Sequence, residues 1–138
     1  MEKISVQGHT RLGIQLAWEA WTKPEHVVNW TFASPDWHSP QANSDLKEGG
    51  RFLTRMEAKD GSTGFDFEGT FLQVKEPFLL EYRMDDGREA LITFESSPDG
   101  TLVSETFDPE DIHPPEMQKQ GWQAIMDNFI RYTEQLQS

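Results

Sequence analysis

The chain contains no cysteine, so disulfides, thiolate nucleophiles and thiolate metal ligands are excluded. Basic residues are also scarce: 12 Lys and Arg stand against 24 Asp and Glu, a net charge of −12. Recognition of phosphates needs a clustered basic face, so no nucleic-acid partner is expected. Long apolar runs are missing too. No stretch approaches the roughly 18 apolar residues of a membrane span. Residues 1–6 lack the apolar core of a secretion signal, so a cytoplasmic location is expected. The four histidines, His9, His26, His38 and His113, are scattered without ligand spacing, so no metal site is expected. Serine-nucleophile motifs, phosphate-cradling glycine loops and dinucleotide fingerprints are absent, and no cofactor is expected.

Aromatic residues, in contrast, make up 12% of the chain, with five Trp and nine Phe. They imply a bulky core, a pocket, or both. At 138 residues the chain reads as one domain, large enough to bury a core without staples. The longest periodic element is 114–136. Trp122, Ile125, Met126, Phe129, Tyr132 and Leu136 recur there at three- and four-residue spacing and form one helical stripe. Pro114 and Pro115 suit a first turn, where backbone N–H groups lack partners anyway.

Upstream, 2–9 reads as a strand, with Ile4 and Val6 on one face. Residues 11–21 read as a short helix burying Leu16, Ala20 and either Trp18 or Trp21. Thr22 is a candidate cap for a second short helix over 25–30, with Pro24 in its first turn. Pro35 and Pro40 make 31–43 a loop, and the bulky Phe32, Trp37 and His38 in it suit a core edge or pocket mouth. Residues 45–50 read as a short strand and a tight turn. From Arg51 the pattern is a meander of strands, 51–59, 64–75, 78–84, 88–95 and 101–107, with turn signals at Asp60-Gly61, Asp85-Asp86-Gly87 and Pro98-Asp99-Gly100. Gly69 interrupts the alternation of Phe65, Phe67 and Phe71 and is read as a bulge or bend. The expected fold is α+β: a curved antiparallel sheet of about seven strands around a long C-terminal helix, with two short helices between the first and second strands. Such a sheet cannot close over the helix completely, and a cavity is expected between them.

Several segments resemble one known family. They are Trp18-Glu19-Ala20-Trp21-Thr22-Lys23-Pro24-Glu25-His26 with Trp30, then Asp45-Leu46-Lys47-Glu48-Gly49-Gly50-Arg51-Phe52. Phe67-Glu68-Gly69-Thr70-Phe71, Val74-Lys75-Glu76-Pro77, Leu80-Glu81-Tyr82, and Gly121-Trp122 with Phe129 follow in order. Together they resemble the activator of heat-shock-protein-90 ATPase homologue family, within the START-like, Bet v 1-like superfamily of polyketide cyclases and lipid-transfer domains. The resemblance implies a helix-grip fold around a hydrophobic cavity. Fold alone does not choose a function within this superfamily.

Three functions follow as expectations. The favoured one is a non-enzymatic binder of a small apolar molecule, a lipid, polyketide or aromatic metabolite. Its cavity candidates are Trp30, Trp37, His38, Arg51, Phe67, Tyr82, Trp122, Ile125, Met126 and Phe129. The second is a cyclase or hydrolase using His38, Glu68 or Arg51 as polar groups in the pocket. The third, from the resemblance, is a co-chaperone-like module with a chaperone as partner. A monomer or a two-fold homodimer is expected.

Overall fold

The computed structural model describes residues 2–136. β1 (Ile4–Thr10) leads into α1 (Ile14–Thr22) and α2 (Pro24–Val27). Six strands follow: β2 (Trp37–Ser44), β3 (Arg51–Ala58), β4 (Gly64–Lys75), β5 (Leu79–Met84), β6 (Glu89–Ser97) and β7 (Gly100–Phe107). α3 (Pro115–Gln135) closes the chain. All seven strands join one antiparallel sheet in the order β1-β7-β6-β5-β4-β3-β2. Strands β2 to β7 form a simple meander. The helices α1 and α2 carry the chain from the β1 edge to the β2 edge, and the sheet curls around α3. This is the expected α+β helix-grip architecture.

The alternation in the strands sets which face is dry. On β7, Thr101, Val103, Glu105 and Phe107 are buried while their neighbours are half-exposed. On β6, Ala90, Ile92 and Phe94 turn inward. Between them and the helices lies an aromatic core. Trp18 meets Phe94 edge-on at 5.3 Å, and Phe129 of α3 lies 4.9 Å from Trp21 and 4.8 Å from Trp30. Met126 and Phe129 are fully enclosed.

The seat of α3 on β1 depends on Gly8. A Cβ there would stand 2.8 Å from Ile130 Cγ1 and 3.2 Å from Met126 Cγ, so a larger residue would force these side chains of α3 to repack against β1. Hydroxyl groups then pin the helix end. Thr10 Oγ1 donates to Thr133 Oγ1 at 2.7 Å, and Thr133 Oγ1 donates to the Ile130 carbonyl at 2.7 Å. Asn128 Nδ2 donates to the Trp30 carbonyl at 2.9 Å, tying the helix to the turn after α2.

Some expectations change. Residues 31–43 are not all loop, because Trp37–Ser44 is β2. Pro40 is tolerated since β2 is an edge strand, and its pairing with β3 shifts register between His38 and Gln41. Residues 45–50 are turn only. On α1 both Trp18 and Trp21 are buried, and Leu16 is exposed. Thr22 caps nothing; it ends α1, and its hydroxyl donates back to the Trp18 carbonyl. Gly69 is not a bulge. Its absent Cβ makes room for the Arg83 carbonyl, and the register shift in β4 falls between Phe71 and Gln73. Leu136 is exposed rather than part of the buried stripe.

The core position of Phe129 gives a direct test. Phe129→Ala is expected to lower unfolding free energy by about 3–5 kcal/mol through lost contacts and a cavity. Leu136→Ala is expected to stay within about 0.5 kcal/mol, as surface changes do. Urea unfolding of both variants checks the contrast.

Candidate functional site

Because α3 sits close to β1, it stands away from β3 and β4. A cavity of about 270 Å³ lies there, between the curled sheet, α3 and the α1–α2 corner. Alternating inward positions supply its sheet wall: Phe52, Thr54 and Met56 from β3, Phe65, Phe67 and Phe71 from β4, and Leu80 and Tyr82 from β5. Trp122 and Ile125 of α3 and Trp21 and Trp30 of the helical corner close it. Asn43 and Phe65, both exposed members of the lining, place the mouth on the β2–β4 side.

The wall is an aromatic mesh. Phe52 lies 5.7 Å from Phe67, 5.1 Å from Phe71 and 4.9 Å from Tyr82. Trp122 stacks on Phe107, with centroids 3.8 Å apart and planes 10° from parallel. Its edge contact with Phe67, at 6.4 Å, links helix and β4 across the cavity. Such ring pairs hold their shape through offset and edge geometry.

Of the residues expected at the site, Trp30, Phe67, Tyr82, Trp122 and Ile125 line the cavity. The other five lie outside the lining. Met126 and Phe129 belong to the same helical stripe but are packed into the core. Trp37 lies beside Phe65, at 6.1 Å. His38 Nε2 is 3.3 Å from Glu57 Oε1, across β2 and β3. Arg51 grips Asp85 with two hydrogen bonds of 2.6 and 2.7 Å on the outer face, with Glu68 4.0 Å away. His38, Arg51 and Glu68 therefore do not meet inside the cavity.

Two charged lining residues were missed from sequence, Glu105 and Arg88, as were the smaller polar ones Thr22, Thr31, Asn43, Ser44 and Thr54. The Arg88 guanidinium is already paired, with its Nε 2.8 Å from Asp86 Oδ2. Glu105 is buried, and loss of water pushes its carboxyl up from 4.5 to about 8. The Tyr82 phenol is raised well above its ordinary value, first by burial and then by the Glu105 charge. A signal for Glu105 does exist in the sequence. It occupies the inward phase of Thr101, Val103, Glu105 and Phe107, where a carboxylate is out of place.

The family model described as Activator of Hsp90 ATPase homolog 1-like protein matches residues 12–134. No curated protein matches the chain. Among solved structures, the AHSA1-like protein from Aeromonas hydrophila is 50% identical, with a TM-score of 0.92 over 98% of this chain and 94% of its own. Chr148 from Cytophaga hutchinsonii is 47% identical, with a TM-score of 0.83 over 98% of this chain and 94% of its own. NE0264 from Nitrosomonas europaea shares the fold at 21% identity, with a TM-score of 0.85 over 98% and 96% of the two chains.

The buried carboxyl makes stability depend on pH. Between pH 4.5 and about 8 the folded state holds a proton that the unfolded state has lost. Stability present at low pH is therefore lost as pH rises, by at most about 1.4 kcal/mol per pH unit. Glu105→Gln cannot ionise and is expected to lose less stability than the parent between pH 5 and pH 9. Denaturant unfolding at both values checks this; equal losses would mean that the ionised carboxylate is well hydrated.

Proposed function

The chain belongs to the family of Activator of Hsp90 ATPase homolog 1-like proteins, and from that premise we propose that it binds a small, mostly apolar molecule between the sheet and α3. The fold of this family commonly binds hydrophobic ligands. The observation that carries the reading is the ring-walled cavity of about 270 Å³. Burial of apolar surface drives binding in such a site, at roughly 25 cal/mol per Å² before the losses of association are subtracted. Small-molecule sites span roughly 300–1,000 Å³. A volume at the low end favours a compact aromatic or polyketide ring system over a two-chain lipid. The lining holds none of His38, Arg51 and Glu68, the groups on which a cyclase or hydrolase reading would rest.

Native mass spectrometry of gently purified protein, followed by solvent extraction, tests for a bound molecule. Thermal denaturation with a library of compact apolar compounds tests capacity. A ligand at 100 times its Kd is expected to stabilise the parent protein by about 2.7 kcal/mol, a rise of several degrees in Tm. Ala42→Trp, which projects an indole into the space opposite Thr54, is expected to weaken binding at least tenfold while the protein still folds. If no compound raises Tm in the parent, the reading fails.

A further inference from the structure

Rings and aliphatic side chains make up most of the cavity wall; besides the short polar side chains of Thr22, Thr31, Asn43, Ser44 and Thr54, it carries a carboxyl and a phenol. Glu105 is 5% exposed and Tyr82 is 7% exposed. Across the sheet, Glu105 stands level with Val6 of β1 and Ile92 of β6, neither of which can pair with it. Tyr82 is flanked by Phe71 of β4 and Ala90 of β6. Neither the carboxyl nor the phenol has a hydrogen-bond partner among the described residues. Among those residues, however, no side-chain polar atom is both sealed from open space and unpartnered. The two groups therefore present their polar atoms to the cavity, and they are close enough for the phenol to feel the carboxylate's charge.

Leaving two such groups without partners in a largely apolar wall is unfavourable. A ligand that supplies the missing partner removes that penalty. We propose that Glu105 and Tyr82 form the polar recognition point of the cavity and select compact apolar ligands bearing a neutral acceptor oxygen, above all a ketone or aldehyde carbonyl. This rests on the cavity being a ligand site. A protonated carboxyl and a phenol each offer one O–H, and a carbonyl oxygen has two lone pairs to receive them. Burial keeps the carboxyl protonated at neutral pH, so it donates rather than repels.

Other head groups fit less well. A ligand carboxylate would be buried beside two groups that resist neighbouring negative charge. The cation of the lining, Arg88, is already matched by Asp86. A hydrocarbon of the same shape leaves both O–H groups unpartnered. Sites built to hydrogen-bond a ligand oxygen discriminate strongly against analogues lacking it, for this reason.

The ionisable groups facing Glu105 are Tyr82 on β5 and Arg88 just ahead of β6. Strands β1 and β6 present Val6 and Ile92, and α3 presents Trp122 and Ile125 to the cavity. Glu105 is accordingly the group whose ionisation changes binding between pH 6.5 and pH 9.

Equilibrium dialysis with three matched probes tests the proposal. They are 2-acetylnaphthalene, its hydrocarbon analogue 2-isopropenylnaphthalene, in which CH₂ replaces the carbonyl oxygen, and 2-naphthoate. At pH 6.5 the ketone is expected to bind at least tenfold more tightly than the hydrocarbon, with the carboxylate weakest. At pH 9 the advantage of the ketone is expected to shrink threefold or more. Glu105→Gln retains an N–H donor and cannot ionise, so its preference is expected to be the same at both pH values. Tyr82→Phe is expected to reduce the preference without abolishing it. Equal affinity for ketone and hydrocarbon at pH 6.5 overturns the proposal and leaves the cavity as a ligand site. Tightest binding of 2-naphthoate also overturns it, in favour of Arg88 as the recognition group. Failure of all three probes to bind overturns the cavity reading and this one with it.

Discussion

The close approach of α3 to β1 at Gly8 decides where the empty space lies. A helix can be seated tightly at one edge of a curled sheet or held equally far from all strands. Here the missing Cβ lets Ile130 and Met126 settle onto β1. The hydroxyl chain from Thr10 through Thr133 to the Ile130 carbonyl then holds that end in place. A helix fixed there diverges from β3 and β4. The residue types on the two sides follow from this: Met126 and Phe129 are sealed in the core, while Trp122 and Ile125 face the cavity. The stack of Trp122 on Phe107 spans the transition between the filled and the hollow half.

The hollow half is apolar because its wall alternates with the wet outer face of the same strands. That outer face carries several ion pairs. Arg51 with Asp85, Arg55 with Glu57 and Asp66, and Arg83 with Glu89 are all substantially exposed. Pairs of this kind contribute about 0–1 kcal/mol each. They organise the convex surface and say nothing about ligand chemistry. The buried carboxyl of Glu105 matters more, because a charge taken from water without a partner is far more expensive than a surface pair is favourable. The protein meets that demand by keeping the proton on Glu105, which turns an acceptor into a donor. Strongly perturbed groups in clefts gather at functional sites for this physical reason.

A cavity walled only by rings would accept any apolar molecule of the right size, since burial of area has no direction. Directional groups are what separate one compact ligand from another. In this chain they sit at Tyr82 and Glu105, on β5 and β7, with β6 between them. That both line one cavity depends on curl: in a flat sheet, inward side chains two strands apart would stand side by side rather than border a common space.

Periodicity determined strands β3 to β7 and the final helix, because each element repeats its apolar residues at its own period. The Asp-Gly turns were equally legible; Gly61 and Gly87 both adopt the positive φ that such turns require. The strand through Pro40 was not, since proline signals a break and only position at the sheet edge makes it harmless. Half of the ten candidates named from sequence fall in the lining, because a helix stripe and a strand face are local properties. Separating Trp122 from Phe129, or seeing that Arg51 turns to Asp85, required the three-dimensional packing. A stripe does not reveal which of its residues meet a filled core and which meet a gap. Glu105 lay at an inward position readable from the alternation of β7, but only the curled sheet and the divergent helix decided that its carboxyl would face a cavity.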